Sequence, residues 1–296
     1  MTINGFSDER ISMVSAASRC GLTVRQLSKD TLILNKKGTG IVFHLNSRKL
    51  LFNNRLVWLN GPASIVKGNW TVSNCDINNV LIPLLYPKQI TSKAKVNTVV
   101  IDPGHGGRDT GAIGKRRVYE KKAVLDIARR VRKKLKTADL EVRMTRSWDS
   151  NRSLVERTAK ARKWEADLFV SIHLNYASNK KACGTETFVV PCRGFPSTSG
   201  KKPDFNACSG NLHDPANTLL AYMIQKEILA TTGNADRGIK RARFNVIKNA
   251  PCPSVLVECA FLSNPAEEAK LIEKDYRDSL AEGIARGILA FAGKKK

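Results

Sequence analysis

The feature that most constrains the fold is the regular alternation of short apolar runs with helical patterns after residue 98. Strands that alternate with helices in this way predict an α/β fold, in which helices cover both faces of a twisted, mostly parallel sheet. The predicted strands are 98–101, 140–145, 168–174, 186–190, 245–248 and 255–257, and the predicted helices begin near Lys121, Ser153, Ala216 and Tyr276.

Two of these helices have strong local support. Between Val124 and Leu135 the apolar residues recur at every third or fourth position, which places them on one face of a helix. Ser153 is followed three residues later by Glu156, and this spacing is typical of a capping box. Both patterns predict helices that pack against the sheet.

Three residues capable of metal or proton chemistry follow predicted strands. His105 lies in the Gly-rich loop after the first strand, His173 lies at the end of the strand 168–174, and Glu258 follows the strand 255–257. In an open α/β sheet, ligands collect at the carboxyl ends of the strands, so we expect these side chains to share one edge. Glu120 opens the next helix, where the positive helix terminus favours a carboxylate.

His105, Glu120 and His173 form a donor set typical of catalytic zinc, with the fourth position left for water. Zinc lowers the pKa of its bound water towards about 7 and polarises a carbonyl. Glu258 can accept the proton as water attacks an amide and deliver it to the departing amine. Each residue alone has an ordinary structural explanation, but together they predict one Zn²⁺ per chain and amide hydrolysis.

Other interpretations of the Gly-rich loop fail on residue identity. Asp109 stands where a phosphate loop needs its first glycine, and Arg116 stands where Ser or Thr would bind magnesium. The dinucleotide-binding pattern also fails at Asp109. Serine-type motifs such as Ser64-x-x-Lys67 are expected by chance in a chain so rich in lysine.

The first 90 residues have a different predicted secondary structure from the rest of the chain. Short strands at 31–34, 40–45, 49–52 and 56–59 alternate with Asn, Gly and Lys turns, and a short helix is predicted before Gly21. Residues 1–90 therefore form a small β-rich (α+β) module in this interpretation. A linker at 91–97, a catalytic domain at 98–293 and a basic tail at 294–296 complete the predicted organisation.

A formal charge of +24 favours anionic partners. The basic residues are scattered, apart from runs at 129–136 and 294–296, and few aromatic residues lie among them. This distribution indicates a solvated surface and no specific nucleic-acid site. An acidic glycopeptide and an anionic membrane surface remain candidate partners.

Seven cysteines are widely spaced and include no CxxC pair. Cys183, Cys192 and Cys208 flank one loop and could hold a disulfide in an oxidising compartment. Buried free thiols are the alternative, and the odd count leaves at least one cysteine unpaired.

The chain contains no run of about 20 apolar residues that would span a membrane. Residues 1–10 are polar and lack the apolar core of a secretory signal. For an enzyme acting outside the cytoplasm, we therefore expect the export signal to be absent from this chain.

Several segments together resemble the zinc-dependent N-acetylmuramoyl-L-alanine amidases of the amidase-3 type. The resemblance runs from about Val99 to Phe291, and the order and spacing of its segments are highly specific. These segments are Val-Val-Ile-Asp-Pro-Gly-His-Gly-Gly at 99–107, Glu120-Lys121, 144–149, 166–175, 236–240 and 255–265.

The resemblance implies hydrolysis of the amide between N-acetylmuramic acid and L-alanine in peptidoglycan, its precursors or its fragments. It also implies zinc bound by His105, Glu120 and His173, with Glu258 as the catalytic residue. A location in the periplasm or cell envelope and contacts with divisome or activator proteins follow from the same resemblance. A catalytically weak or inactive peptidoglycan-binding protein is the alternative, although none of the four positions is missing.

Three further residues, Asn175, Arg237 and Asn264, match recurring positions of the family, for which we expect positioning or structural roles. Some members carry an extra helix that blocks the site until an activator removes it. Here the segment 191–203 is rich in proline and glycine and cannot sustain a helix. We therefore expect an unblocked site, with this segment as a substrate wall or a cysteine-tied flap. For the module 1–90, wall or septal targeting and a structural lid or spacer both remain open.

Overall fold

The computed structural model describes residues 9–92 and 95–294. The strands are β1 Arg10–Ser12, β2 Thr23–Ser28, β3 Thr31–Lys36, β4 Thr39–His44, β5 Lys49–Phe52, β6 Arg55–Trp58, β7 Ser64–Val66, β8 Asn69–Ser73, β9 Thr98–Pro103, β10 Glu141–Met144, β11 Leu168–Asn175, β12 Thr185–Val189, β13 Asp236–Arg241 and β14 Ser254–Phe261. The α-helices are α1 Met13–Arg19, α2 Asn74–Asp76, α3 Ile82–Leu85, α4 Lys88–Thr91, α5 Glu120–Leu135, α6 Leu154–Lys163, α7 Asp214–Thr232, α8 Asn245–Lys248, α9 Pro265–Ile272 and α10 Lys274–Phe291.

A single large sheet organises the molecule, with the strand order β10-β9-β11-β14-β12-β13-β6-β5-β4-β3-β2. Among the described strands after residue 98, every pairing is parallel except the one between β12 and β14. Strands β2 to β6 form an antiparallel meander at the other end. The predicted α/β class, with a small β-rich part at the N-terminus, is confirmed.

Helices cover both faces of the sheet, as the sequence predicted. Val99 and Ile101 of β9 belong to the core shared with α5, α7 and α10, whereas Val100 belongs to a second core with Ala161 of α6 and Val246 of α8. Successive residues of a strand point to opposite faces, so a strand buried on both sides is apolar throughout. This burial explains the continuous apolar run at the start of β9.

Most predicted elements are present. The strand runs before residue 60 match β3 to β6, Ser12 caps α1, and Ser153 and Glu156 form the expected capping box of α6. Asn264 caps α9. Residues 93 and 94 of the predicted linker, residues 295 and 296 of the predicted tail and residues 1–8 lie outside the described residues.

The prediction of a strand at 245–248 was wrong, because this segment is the short helix α8. Val246 and Ile247 are adjacent residues of a helical turn, and both pack in the second core. Periodicity cannot separate a strand from a helical turn in so short an apolar run. The strand of this region is β13, which lies just upstream.

The N-terminal strands continue the main sheet, because Val57 of β6 pairs with Ile239 of β13. The disulfide of the described chain joins Cys192 to Cys75 of α2. The sequence had grouped Cys192 with Cys183 and Cys208, which are free. The actual partner lies 117 residues away in sequence, and only the packing of the N-terminal part against this loop brings it near.

The two longest helices, α7 and α10, pack against each other through glycines. A Cβ added to Gly287 would lie 2.4 Å from Ile224 Cα, and one added to Gly283 would lie 2.5 Å from Ile228 Cα. Within the described residues, no helix combines the length and apolar character needed to cross a membrane.

We expect the substitution Gly287→Ala to lower the free energy of unfolding by about 2 kcal/mol net, because the helix backbones must separate to admit the methyl group at a cost of about 3 kcal/mol. This cost exceeds the gain of about 1 kcal/mol in helix propensity. Urea unfolding measures the difference, with Arg286→Ala on the exposed face of α10 as the control. An unchanged or increased stability of Gly287→Ala would contradict the close packing.

Candidate metal centre

Four side chains meet beside strands β9, β11 and β14 of the main sheet. His105 follows β9, Glu120 is the first residue of α5, His173 lies on β11 and Glu258 lies on β14. All four line one open pocket of about 510 Å³. The structure therefore brings together all four residues that the sequence selected.

His105, Glu120 and His173 form a compact donor set. Glu120 Oε1 lies 3.1 Å from His105 Nε2 and 3.0 Å from His173 Nδ1. One donor atom from each residue lies within 4.8 Å of the others. Two imidazole nitrogens and one carboxylate oxygen at this separation can hold a metal ion.

The Glu120 carboxylate is held on both oxygens by backbone amides. Leu174 N donates to Oε1 at 3.0 Å, and Ala112 N donates to Oε2 at 2.8 Å. Burial opposes ionisation, but hydrogen bonds from His105 and His173 hold the pKa of Glu120 well below its usual range. Glu120 is therefore an ionised carboxylate fixed in position before any ligand arrives.

His105 is oriented by a second carboxylate. Its Nδ1 lies 2.9 Å from Asp109 Oδ2, which leaves Nε2 directed at Glu120. Burial disfavours the charged ring, yet the hydrogen bonds and charges of Glu120 and Asp109 raise the pKa of His105 above its usual value. A carboxylate on the outer nitrogen is a common way to fix the tautomer of a metal-binding histidine.

Two glycines of the loop permit this close approach. A Cβ added to Gly104 would lie 2.2 Å from His173 Cε1. Gly111 has a φ of +62°, and a Cβ there would lie 2.6 Å from Glu120 Oε2. A residue with a side chain at either position would displace a member of the donor set.

Arg157 of α6 donates hydrogen bonds to the Gly-rich loop and to the end of β9, a role that the sequence analysis missed. Its Nη1 donates to Asp102 Oδ1 at 2.7 Å and to Pro103 O at 2.8 Å, and its Nη2 donates to His105 O at 2.8 Å. Arg157 is 3% exposed and Asp102 is fully buried. The sequence could have indicated that Arg157 is buried, because it lies four residues before Ala161 and therefore on the same inner face of the helix.

Arg146 makes a second attachment that was also missed. Its Nη2 donates to Gly104 O and to Lys121 O, each at 2.8 Å. This buried guanidinium therefore ties the Gly-rich loop to the first turn of α5, which carries Glu120. The relative positions of His105 and Glu120 depend on both arginines.

Glu258 sits between two strands that carry functional side chains. Its register partners are His173 on β11 and Glu186 on β12. Glu258 Oε2 is shielded from solvent and has no hydrogen-bond partner among the described residues. Burial raises the pKa of Glu258 well above its usual value, and the charges of Glu120 and Glu186 add to the effect.

The neighbouring carboxylate Glu186, which the sequence analysis did not select, is fully paired. Asn175 Nδ2 donates to its Oε1 at 2.7 Å, while Arg237 Nε and Lys240 Nζ contact its Oε2 at 2.7 and 2.5 Å. The two adjacent carboxylates therefore differ in kind. Glu186 is held in ion pairs by two cations, whereas Glu258 Oε2 has no hydrogen-bond partner among the described residues.

The segment 191–203 contains no helix, as expected, and every residue of it is described. Ser197, Thr198 and Ser199 line a pocket of about 350 Å³ that also reaches Glu258. Arg48, from the N-terminal part, donates to Ser197 O at 3.0 Å. The segment therefore lines a pocket beside Glu258.

Comparison with known proteins agrees with this geometry. Residues 99–290 match the N-acetylmuramoyl-L-alanine amidase family. AmiA of Escherichia coli K12 is 35% identical over 230 residues, which cover 69% of this chain and 79% of AmiA. The chain belongs to the N-acetylmuramoyl-L-alanine amidase family.

The share of each relative that the match covers differs among family members. LytC of Bacillus subtilis 168 is 35% identical over 235 residues, which cover 79% of the chain but 43% of LytC. The catalytic domain of CwlV from Paenibacillus polymyxa is 36% identical with a TM-score of 0.58, and the match covers 68% of the chain and all of that structure. The amidase of Clostridium difficile 630, also 36% identical, gives a TM-score of 0.57 and the same coverage.

Proposed function

We propose that this chain hydrolyses the amide bond between N-acetylmuramic acid and L-alanine in peptidoglycan. One zinc ion is held by His105, Glu120 and His173, and Glu258 is the general base and acid. The observation that carries the proposal is the Glu258 carboxylate, which lies beside the donor set in one pocket and has an oxygen without a hydrogen-bond partner among the described residues.

The donor set fits zinc in its chemistry, because two imidazoles and one carboxylate leave room for a reacting ligand. Zinc at this position supplies a positive charge that polarises the substrate carbonyl and lowers the pKa of water. Asp109 keeps His105 oriented, and the two backbone amides hold the Glu120 carboxylate in place. The protein thus contributes a preformed site.

Glu258 transfers the proton of the attacking water. It accepts a proton from the water that attacks the amide carbonyl carbon, and it delivers that proton to the nitrogen of L-alanine as the C–N bond breaks. Without this transfer the amine would have to leave as an anion. A carboxyl group whose pKa is raised by burial is suited to hold the proton between the two steps.

Because its proposed substrate, peptidoglycan, is exposed in the periplasm or cell envelope, we place the activity of the protein there. The net charge of +24 favours contact with anionic wall material or an anionic membrane surface. The CwlD amidase of Clostridioides difficile, 27% identical with a TM-score of 0.53, was solved in complex with the GerS lipoprotein. By analogy with that complex, we propose a protein partner for this chain, in the role of an activator.

We also propose the domain division 1–90, 91–97, 98–293 and 294–296, with the N-terminal module acting as a structural support of the catalytic part. The supporting observations are the pairing of β6 with β13 and the contacts of Arg48 and Cys75 with the segment around Cys192. Wall or septal targeting is an additional role that this arrangement leaves open.

Metal removal tests the proposed function. We expect the zinc-loaded protein to release intact stem peptides that begin with L-alanine from purified peptidoglycan, because the amide is the bond at the site. A chelator should abolish release, and added zinc should restore it. Mass spectrometry of the products and metal analysis of the protein measure both effects.

A pair of histidine variants provides the matched control. His105→Ala should lose zinc and activity, whereas His44→Ala, which alters an exposed residue of β4, should keep one zinc per chain and full activity. Wall binding without release in every sample would contradict the proposal and support an inactive peptidoglycan-binding protein.

A further inference from the structure

Two further pockets adjoin the site, one at His105 and His173 of the donor set and one at Glu258. The arginine pocket has a volume of about 390 Å³ and is lined by His105, His173, Arg152, Leu154 and Phe244. The serine pocket has a volume of about 350 Å³ and is lined by Glu258, Lys240, Phe244 and Ser197 to Ser199. Phe244 lines both pockets and divides the cleft into two halves.

The proposed reaction requires two such halves, because the amide joins two chemically different arms. The sugar arm offers hydroxyl and N-acetyl groups and carries no charge once its lactyl carboxyl is in the amide. The peptide arm carries free carboxylates, and the first belongs to the acidic residue that follows L-alanine. The pocket with an available cation should therefore hold the peptide arm.

Arg152 is the available cation of the arginine pocket. It donates one hydrogen bond, from Nη1 to Asn151 O at 3.2 Å, and its Nε is shielded from solvent without a partner among the described residues. No described carboxylate lies within 4.0 Å of its nitrogens. Asp109, in the same pocket, already pairs with His105 and Gly111 N.

The serine pocket offers no comparable cation. Lys240 Nζ lies 2.5 Å from Glu186 Oε2, so this ammonium is already engaged in an ion pair. The remaining polar groups at this pocket include the hydroxyls of Ser197 and Ser199 and the amide of Asn175. These groups suit sugar hydroxyls and an N-acetyl group better than a carboxylate.

We propose that the arginine pocket binds the peptide arm and that Arg152 recognises the free carboxylate of the stem residue after L-alanine. This inference rests on the proposed amidase function. The guanidinium fork matches a carboxylate in geometry and charge. Leu154 and Phe244 supply an apolar wall for the aliphatic parts of the peptide.

Two soluble disaccharide tetrapeptides that differ at one group test the proposal. In the first the residue after L-alanine carries its free α-carboxylate, and in the second that group is an uncharged amide. For the zinc-loaded full chain we expect kcat/KM to favour the carboxylate form about tenfold, mainly through KM. Arg152→Ala should remove the preference, and Arg152→Lys should retain part of it.

A purely structural defect would lower kcat/KM for both fragments equally, so the ratio between them separates recognition from folding. Arg162→Ala, which removes an exposed arginine from the helix α6 that follows Arg152, is the charge-matched control and should keep the preference. A preference retained in Arg152→Ala would overturn the proposal. So would a preference that disappears in Lys240→Ala instead, because it would place the peptide arm in the serine pocket.

Different results would contradict the amidase function and the assignment of Arg152. If the wild-type protein cleaves neither fragment and releases no peptide from peptidoglycan, the amidase function itself is wrong. If the wild-type protein cleaves both fragments and Arg152→Ala leaves their ratio unchanged, the assignment of Arg152 is wrong and the amidase function stands.

Discussion

The substitution Glu258→Gln should lower kcat for release of stem peptides by about 10²–10⁴-fold while one zinc remains bound per chain. Glutamine keeps the shape of the side chain but cannot accept the proton of the attacking water. His105, Glu120 and His173 hold their positions through contacts that do not involve Glu258. Activity should therefore fall without loss of the metal site.

Zinc content and stem-peptide release, measured on the same preparation, distinguish the outcomes for Glu258→Gln. Glu165→Gln, at an exposed position after α6, is a control that changes the same functional group away from the pocket. Unchanged activity of Glu258→Gln would show that another group manages the proton. Loss of zinc together with activity would instead make Glu258 a metal ligand.

The residues of the donor set could be found from the sequence because each obeys a local rule. His105 follows β9 and His173 lies near the end of β11, and parallel strands bring such ends to one edge. The predicted strand end at 257 was wrong, because β14 continues to Phe261, but Glu258 still lines the same pocket. Glu120 follows from the start of an amphipathic helix whose apolar stripe is unbroken. Local pattern and topology together were sufficient at these four positions.

The supporting contacts depend on the three-dimensional structure. Glu186 is 51 residues from Arg237 and 54 from Lys240, so nothing near it in the sequence shows that it is neutralised. Cys75 and Cys192 are separated by 117 residues. In a chain with 50 lysines and arginines, the few buried cations look like the many exposed ones until packing is known.

The continuity of the sheet was also beyond the sequence patterns. The apolar alternation of β3 to β6 identified a small β-rich module. No sequence pattern marks the edge on which β6 pairs with β13. Strand pairing through the backbone is nearly independent of side-chain identity at a single position. The structure therefore adds a physical connection between the module and the catalytic part that residue patterns do not encode.

Arg157→Met should lower the free energy of unfolding by about 3–5 kcal/mol, because it removes one partner of a buried ion pair. Asp102 would keep hydrogen bonds from Thr145 and from Ser171 Oγ, at 2.5 and 2.8 Å, but would retain an uncompensated charge in the core. Methionine fills a similar volume, so a cavity does not explain the loss. Urea unfolding measures the change, with Arg162→Met at the surface of α6 as the control.

The same substitution should weaken zinc binding about tenfold, because Arg157 also donates to the carbonyl of His105. Combining Arg157→Met with Asp102→Asn separates the two effects. The double variant should recover much of the stability, since no charge is left buried, but His105 would still lack its donor and zinc binding would stay weak. Recovery of both properties would show that Arg157 serves only to neutralise Asp102, and recovery of neither would assign both losses to the missing backbone hydrogen bonds.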